Sequence, residues 1–335
     1  MKNLKKLPII ISILSLFTFF LPASADIKVV ASIKPIHSLA SYLMNGVAKP
    51  DLIVDGYASP HGFAMKPSHA KMLQNADIIF WVGEDLENFL EKPLGSIAKK
   101  AEKIELMQVK GLQVLKFRER NIFDDHDDHG HDDHGKKEDH DDHDHDSHAK
   151  KDDHDDHDDH DGHEGHNHGE FDPHIWLDPI NAKVILFEMS KHLIENDPKN
   201  ESVYRANLSQ AYKDIDKLTS DVTSELNESV ASIVFHDAYQ YFEKRFNVNI
   251  LGAFTVNTDV MPGAEQLAEI REVIEHDNVA CVFSEPQFNP DIIKAVAKDM
   301  NIKTGVVDPL GATLNPGKTL YFDLIKNMSA SFKGC

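Results

Sequence analysis

Phe171-Asp172-Pro173-His174-Ile175-Trp176-Leu177-Asp178-Pro179 joins two kinds of sequence that have nothing in common. Upstream lies a tract of almost nothing but His, Asp, Gly and Lys. Downstream the amphipathic repeat of a helix begins. The two prolines fix their own φ and bias the residue before each towards extended backbone. Ile175, Trp176 and Leu177 are apolar enough to dock on a core. One histidine therefore sits on a stiff, anchored segment where the polar tract stops. We read His174 as a metal ligand held in a defined place, and the tract before it as loose metal-binding ballast.

Outward from this stretch, strands alternate with helices. On the N-terminal side, apolar runs at 27–33, 52–54, 78–82 and 104–107 read as strands, the run at 78–82 as one buried on both faces. Helix patterns follow at 35–43, 67–73, where proline opens the first turn, and 84–90. After Pro179 come two helices, about 180–195 and 202–226. The second is long enough to link two domains. The pattern then restarts, with strands at 232–235, 250–254, 280–283 and 304–307 and helices at 264–275, 291–299 and 318–328. Short strands separated by helices indicate βαβ units and mostly parallel sheets. The expected architecture is two α/β lobes, 26–200 and 228–335, joined by a rigid helix at 201–227, with a cleft between them. Each lobe should have its own core.

Ligands of open α/β sheets bind at the carboxyl ends of strands. That rule selects His61 in Ser59-Pro60-His61-Gly62, His236 in Phe235-His236-Asp237, and Asp308 in Asp308-Pro309-Leu310-Gly311, alongside His174. Three imidazoles and one carboxylate make a shell for a divalent cation, and zinc accepts such N and O ligands at about 2.0–2.2 Å. Neutral imidazole suits zinc, whereas manganese prefers more oxygen. His37, His69, His192 and His276 fall inside helix patterns and read as surface residues.

The chain begins with Lys2, Lys5 and Lys6, an apolar run over 8–21, and Ala23-Ser24-Ala25. This is the pattern of a secretory signal peptide, too short for a membrane span. The mature chain should start at Asp26, which is not the cysteine a lipid anchor requires, and should be soluble and exported. Cys281 and Cys335 are the only cysteines, and an even count in an exported chain suits a disulfide. Of the net charge of −21, the stretch 124–170 contributes −17, with 21 acidic residues, 4 lysines and 14 histidines. The rest is nearly neutral, without the basic patch that nucleic acid demands. The tract has no apolar residue except Ala149 and should be disordered. Its histidines, His126, His129, His131, His134, His140, His143, His145, His148, His154, His157, His160, His163, His166 and His168, are candidates for weak auxiliary metal binding.

Several segments together carry a family resemblance: Val30-Ala31-Ser32-Ile33-Lys34-Pro35, Ser59-Pro60-His61, Asn75-Ala76-Asp77, the His-rich tract, His174-Ile175-Trp176-Leu177, Phe235-His236-Asp237-Ala238-Tyr239, Cys281 through Phe288, and Asp308-Pro309-Leu310-Gly311. The chain resembles the periplasmic metal-binding proteins of ABC importers, in the cluster A-I group that takes up zinc and manganese, and is most like its zinc-uptake branch. The resemblance implies two (β/α)4 lobes, a rigid linking helix, and Zn²⁺ as transported ligand on the three histidines. It also implies a membrane permease with a cytoplasmic ATPase as partner, and it supports the Cys281–Cys335 pairing. Some zinc members carry Glu just before the first ligand histidine. Pro60 stands there in this chain, which leaves Asp308 or water for the fourth position. Manganese members generally place a carboxylate where this chain has His236. The resemblance thus points to a monomeric transport component, not an enzyme. Three other readings stay open: a manganese or iron importer component, a secreted zinc hydrolase, and a metal buffer working through its tract. Against the hydrolase, the chain has no His-Glu-x-x-His helix and no evident general base.

Overall fold

A computed structural model describes residues 26–123, 169–226, 230–256, 258 and 260–335. The expected signal peptide, the tract from 124 to 168 with all fourteen of its histidines, and the end of the expected linking helix at 227 lie outside the described residues. The first sheet has four parallel strands in the order β2-β1-β3-β4: β1 Val29–Ile33, β2 Asp51–Val54, β3 Ile78–Trp81 and β4 Glu102–Glu105. The second repeats that order as β6-β5-β7-β8, from β5 Ser232–His236, β6 Ile250–Thr255, β7 Cys281–Ser284 and β8 Lys303–Val306. Helices α1 Lys34–Leu43, α2 Pro67–Asn75 and α3 Glu84–Ser96 connect the first set. Helices α6 Gln240–Phe246, α7 Ala264–His276 and α8 Asp291–Met300 connect the second. The central strands β1, β3 and β5 are buried along their whole length, in keeping with their largely apolar sequences. Each sheet thus carries its own switch point, where the loops leaving the strands can hold a ligand.

Between the lobes run α4 Pro179–Asn196 and α5 Glu201–Glu225, and α9 Leu320–Lys333 ends the chain. Tyr204, Ala211, Ile215, Leu218 and Val222 form one buried stripe along α5, which packs on α1, α4 and α9. The cores differ from the expected pair. One continuous cluster runs from β1 and α1 through α4 and α5 to Tyr239, Phe242, Leu324 and Phe332 of the second lobe. Among the described residues, only the far side of the second sheet, with α7 and α8, has a separate core. The physical reason is that α9 returns to pack on α5 and α1, so apolar surface is buried across the lobe boundary.

The chain also crosses between lobes at 115–123. Phe123 N–H donates to the Leu251 carbonyl (2.8 Å) and Ala253 N–H to the Asn121 carbonyl (2.8 Å), antiparallel to the edge strand β6. Gly252 permits this approach, since a Cβ there would lie 2.6 Å from the Asn121 carbonyl oxygen. Cys281 of β7 and Cys335 after α9 are joined by a disulfide, with Cα atoms 5.9 Å apart.

Candidate metal centre

His61 lies on the loop after β2, and His236 is the last residue of β5. His174 precedes a short 3-10 turn, Ile175–Leu177, whose three apolar residues are fully buried. The turn runs straight into α4, where the Asp178 carboxylate caps the Ile180 N–H at 2.8 Å and Pro179 occupies the first position. The stiffness expected of this stretch is therefore supplied by a docked turn and a capped helix.

The structure brings His61, His174 and His236 together. Their ring centroids stand 5.6, 5.7 and 5.4 Å apart, a nearly equilateral triangle. One ring nitrogen from each lies within 4.8 Å of the others. Pro60, Trp176, Phe288, Pro309 and Leu310 wall the crevice, whose free volume is about 10 Å³. That is room for a small ion and not for a bulky organic solute.

Two carboxylates set the rings. Asp172 Oδ1 accepts from the Nδ1 of His174 at 2.7 Å and from its backbone N–H at 2.9 Å. Glu285 Oε1 accepts from the Nδ1 of His236 at 2.6 Å and from its backbone N–H at 3.3 Å. A proton on Nδ1 leaves Nε2 as a lone pair. In His236 that Nε2 is buried and has no hydrogen-bond partner. Burial first, then the neighbouring His236, hold the His174 imidazole well below its ordinary value, so it is neutral. Burial pulls the same way on His236, but the facing Glu285 outweighs it and leaves the value raised. Burial pushes the Asp172 and Asp237 carboxyls up to about 7.

Asp308 is not in this group. Its Oδ1 accepts from the N–H groups of Leu310 (3.1 Å) and Gly311 (3.0 Å) and from the Gln287 amide (2.8 Å), and its Oδ2 from the Ala312 N–H (2.6 Å). The carboxylate closes its own turn. Sequence reasoning gave no role to Asp172 and Glu285. The available pointers were an Asp two residues before a candidate ligand and a Glu at the carboxyl end of β7. Two histidines read as surface residues are buried, because each meets a local partner: His37 Nε2 contacts the Pro50 carbonyl at 3.0 Å, and His69 Nδ1 accepts the Lys66 N–H at 3.2 Å. His192 sits half-buried between Glu102 and Glu188, and His276 is exposed.

Two parallel-sheet lobes enclosing an imidazole-lined, ion-sized crevice define a two-lobed α/β binding protein for a small cation. The chain belongs to the ZnuA family, described as zinc-uptake complex component A, periplasmic, whose model matches residues 29–335. It is 45% identical over 337 residues to the high-affinity zinc uptake system protein ZnuA of Brucella abortus, covering 100% of this chain and 99% of that one. The Yersinia pestis protein of the same name is 35% identical over 316 residues, covering 93% and 92%. The fold is shared with a crystal structure of a zinc-bound ZnuA deletion mutant, with a TM-score of 0.69 at 20% identity over 92% of this chain and 97% of that one. It is shared too with the periplasmic zinc binding protein TroA of Treponema pallidum, with a TM-score of 0.70 at 14% identity over 92% and 99%. The family is one of solute-binding proteins serving zinc uptake.

Proposed function

We propose that this chain captures Zn²⁺ on the Nε2 atoms of His61, His174 and His236 and delivers it to the permease of an ABC importer driven by a cytoplasmic ATPase. The observation that carries this reading is the buried, unpartnered Nε2 of His236. A buried polar atom left unsatisfied costs about 1–3 kcal/mol, and a cation on its lone pair removes that cost. Asp172 and Glu285, behind two of the rings, fix the tautomers and balance the two charges of the ion. Water completes a tetrahedral shell, since Asp308 is committed to four donors and Pro60 offers none. A crevice with room for a single ion favours carriage over catalysis.

In this reading the chain is exported, loses residues 1–25, carries no lipid on Asp26 and works as a monomer in the periplasm. Among the described residues no helix is long and apolar enough to cross a membrane. The histidines of the tract hold further zinc more weakly, because their sequence offers no apolar residue but Ala149 with which to build a preformed site.

Competition titration tests the choice of metal. Nitrogen-rich shells follow the order in which zinc exceeds manganese, so Zn²⁺ should displace Mn²⁺ from the cleft at stoichiometric amounts. Equal affinity for the two ions would contradict the reading and favour a manganese carrier.

A further inference from the structure

Among the described residues, one further group of side chains stands within reach of a single ion. One ligand atom from each of Glu102, His192 and Glu195 lies within 4.8 Å of the others. The group is remote from the cleft in the fold. Glu102 opens the edge strand β4, so it stands at the amino end of the first sheet. The cleft lies at the carboxyl ends of β2 and β5. Glu188, His192 and Glu195 sit on α4 at the i, i+4, i+7 spacing of one helix face, and His192 meets Glu102 across the gap.

The ring of His192 has carboxylate oxygens against both of its nitrogens. Nδ1 stands 2.8 Å from Glu102 Oε1 and 3.9 Å from Glu195 Oε2, and Nε2 stands 3.0 Å from Glu188 Oε1. Lys191 Nζ donates to that Glu188 oxygen at 2.9 Å, and the Asn196 amide donates to the other oxygen of Glu102 at 2.7 Å. A neutral imidazole donates from one nitrogen and accepts at the other. With the Nε2 proton given to Glu188, the Nδ1 lone pair faces the lone pairs of Glu102. Two acceptors so close repel each other unless a cation stands against them. The ring is 12% exposed, so little water screens the contact.

A second proton on the ring is one such cation, and a metal ion on Nδ1 is the other. Three observations favour the metal. Glu195 turns a second carboxylate to the same nitrogen, at a distance that a proton does not bridge and a shared ion does. Three carboxylates and the one ammonium of Lys191 leave two negative charges, which a divalent ion balances. Glu188 stands behind this ring as Asp172 and Glu285 stand behind His174 and His236, the outer carboxylate that accompanies ligating imidazoles.

We infer that Glu102, His192 and Glu195 form a second site for a divalent metal cation, on the first lobe at the far end of its sheet from the cleft. Nδ1 and one oxygen from each carboxylate are the ligands, and Glu188 fixes the ring. One imidazole with two carboxylates suits zinc, water filling the position left. The ion joins the edge strand β4 to α4 and binds whether or not the cleft is filled.

Anomalous diffraction at the zinc edge, from zinc-soaked crystals of the full chain, tests this. A peak beside His192 Nδ1, absent from His192→Gln, is expected together with a peak in the cleft. A filled cleft with no peak beside His192 would mean that a proton holds the cluster, and would overturn the inference with the cleft reading intact. A peak beside His192 and none in the cleft would do the reverse, and no peak at either would overturn both. Carbethoxylation of His192, read by mass spectrometry on the full chain in zinc buffers, carries the test into solution. Zinc should block the labelling, and Glu188→Gln should raise the zinc concentration needed by about 10–100-fold. Labelling indifferent to zinc would mean binding at crystal concentration only and would overturn the inference.

Discussion

At the scale of single residues, the gathering of His61, His174 and His236 was legible because each stands at a strand end or on a proline-bracketed segment, places where α/β proteins gather ligands. Asp308 met the same criterion and yet is not among the gathered side chains. Position relative to a strand does not say where a carboxylate spends its lone pairs, and four donors of its own turn and of Gln287 take them. The converse holds for Asp172 and Glu285. Their partners are the back faces of imidazoles, a relation that only folding creates for a pair as far apart in sequence as 236 and 285. Glu285→Gln keeps the size of the side chain but removes the charge and the fixed acceptor behind His236. Loss of such an outer partner typically weakens metal binding about 10–100-fold. Competition against a zinc chelator should show that loss with the fold intact by circular dichroism, and unchanged affinity would mean that Glu285 does not tune the ligand.

At the scale of elements, the alternation of strands and helices was readable because buried parallel strands are continuous apolar runs and the long helices are amphipathic. Two elements were not. The helix α6 is seven residues long, too short for a periodic signature. The crossing at 115–123 pairs through single bridges and a lone glycine on β6, which leave no alternation in its own sequence. The junction of β3 and α3 makes its own prediction. Glu87 is fully buried, and its Oε2 accepts the N–H groups of Val82 (2.9 Å) and Gly83 (3.0 Å). Burial, only partly offset by these bonds, pushes its carboxyl from 4.5 up to about 7. The folded chain therefore holds a proton that the unfolded chain has lost between those two values. The resulting stability is complete below pH 4.5 and is lost as pH rises towards 7, by about 3 kcal/mol at most. Glu87→Gln cannot titrate and should lack this loss. Urea unfolding at pH 5 and pH 8 should show the unaltered chain weakening relative to Glu87→Gln. A constant difference between the two would contradict the buried, protonated carboxyl.

At the scale of the whole molecule, two similar halves were visible in the repeated order of strands, and the joined core was not. A pattern of apolar residues shows that a helix has a buried face without showing which lobe buries it, and α9 uses its face to close the boundary. The division of labour between cleft and tract belongs to this scale. The three cleft histidines are positioned by strand ends, prolines and carboxylates, whereas the sequence at 124–170 offers fourteen histidines and a single apolar residue, Ala149. The account's central claim is that the tight zinc site is the cleft. Zinc titration against a competing chelator, on the chain lacking residues 124–170 and on His236→Ala, tests it most directly. The shortened chain should bind fewer ions in total and keep one tight equivalent, and His236→Ala should lose the tight equivalent and keep the weak ones. Tight binding abolished by the deletion and untouched by His236→Ala would place the primary site in the tract and contradict the account.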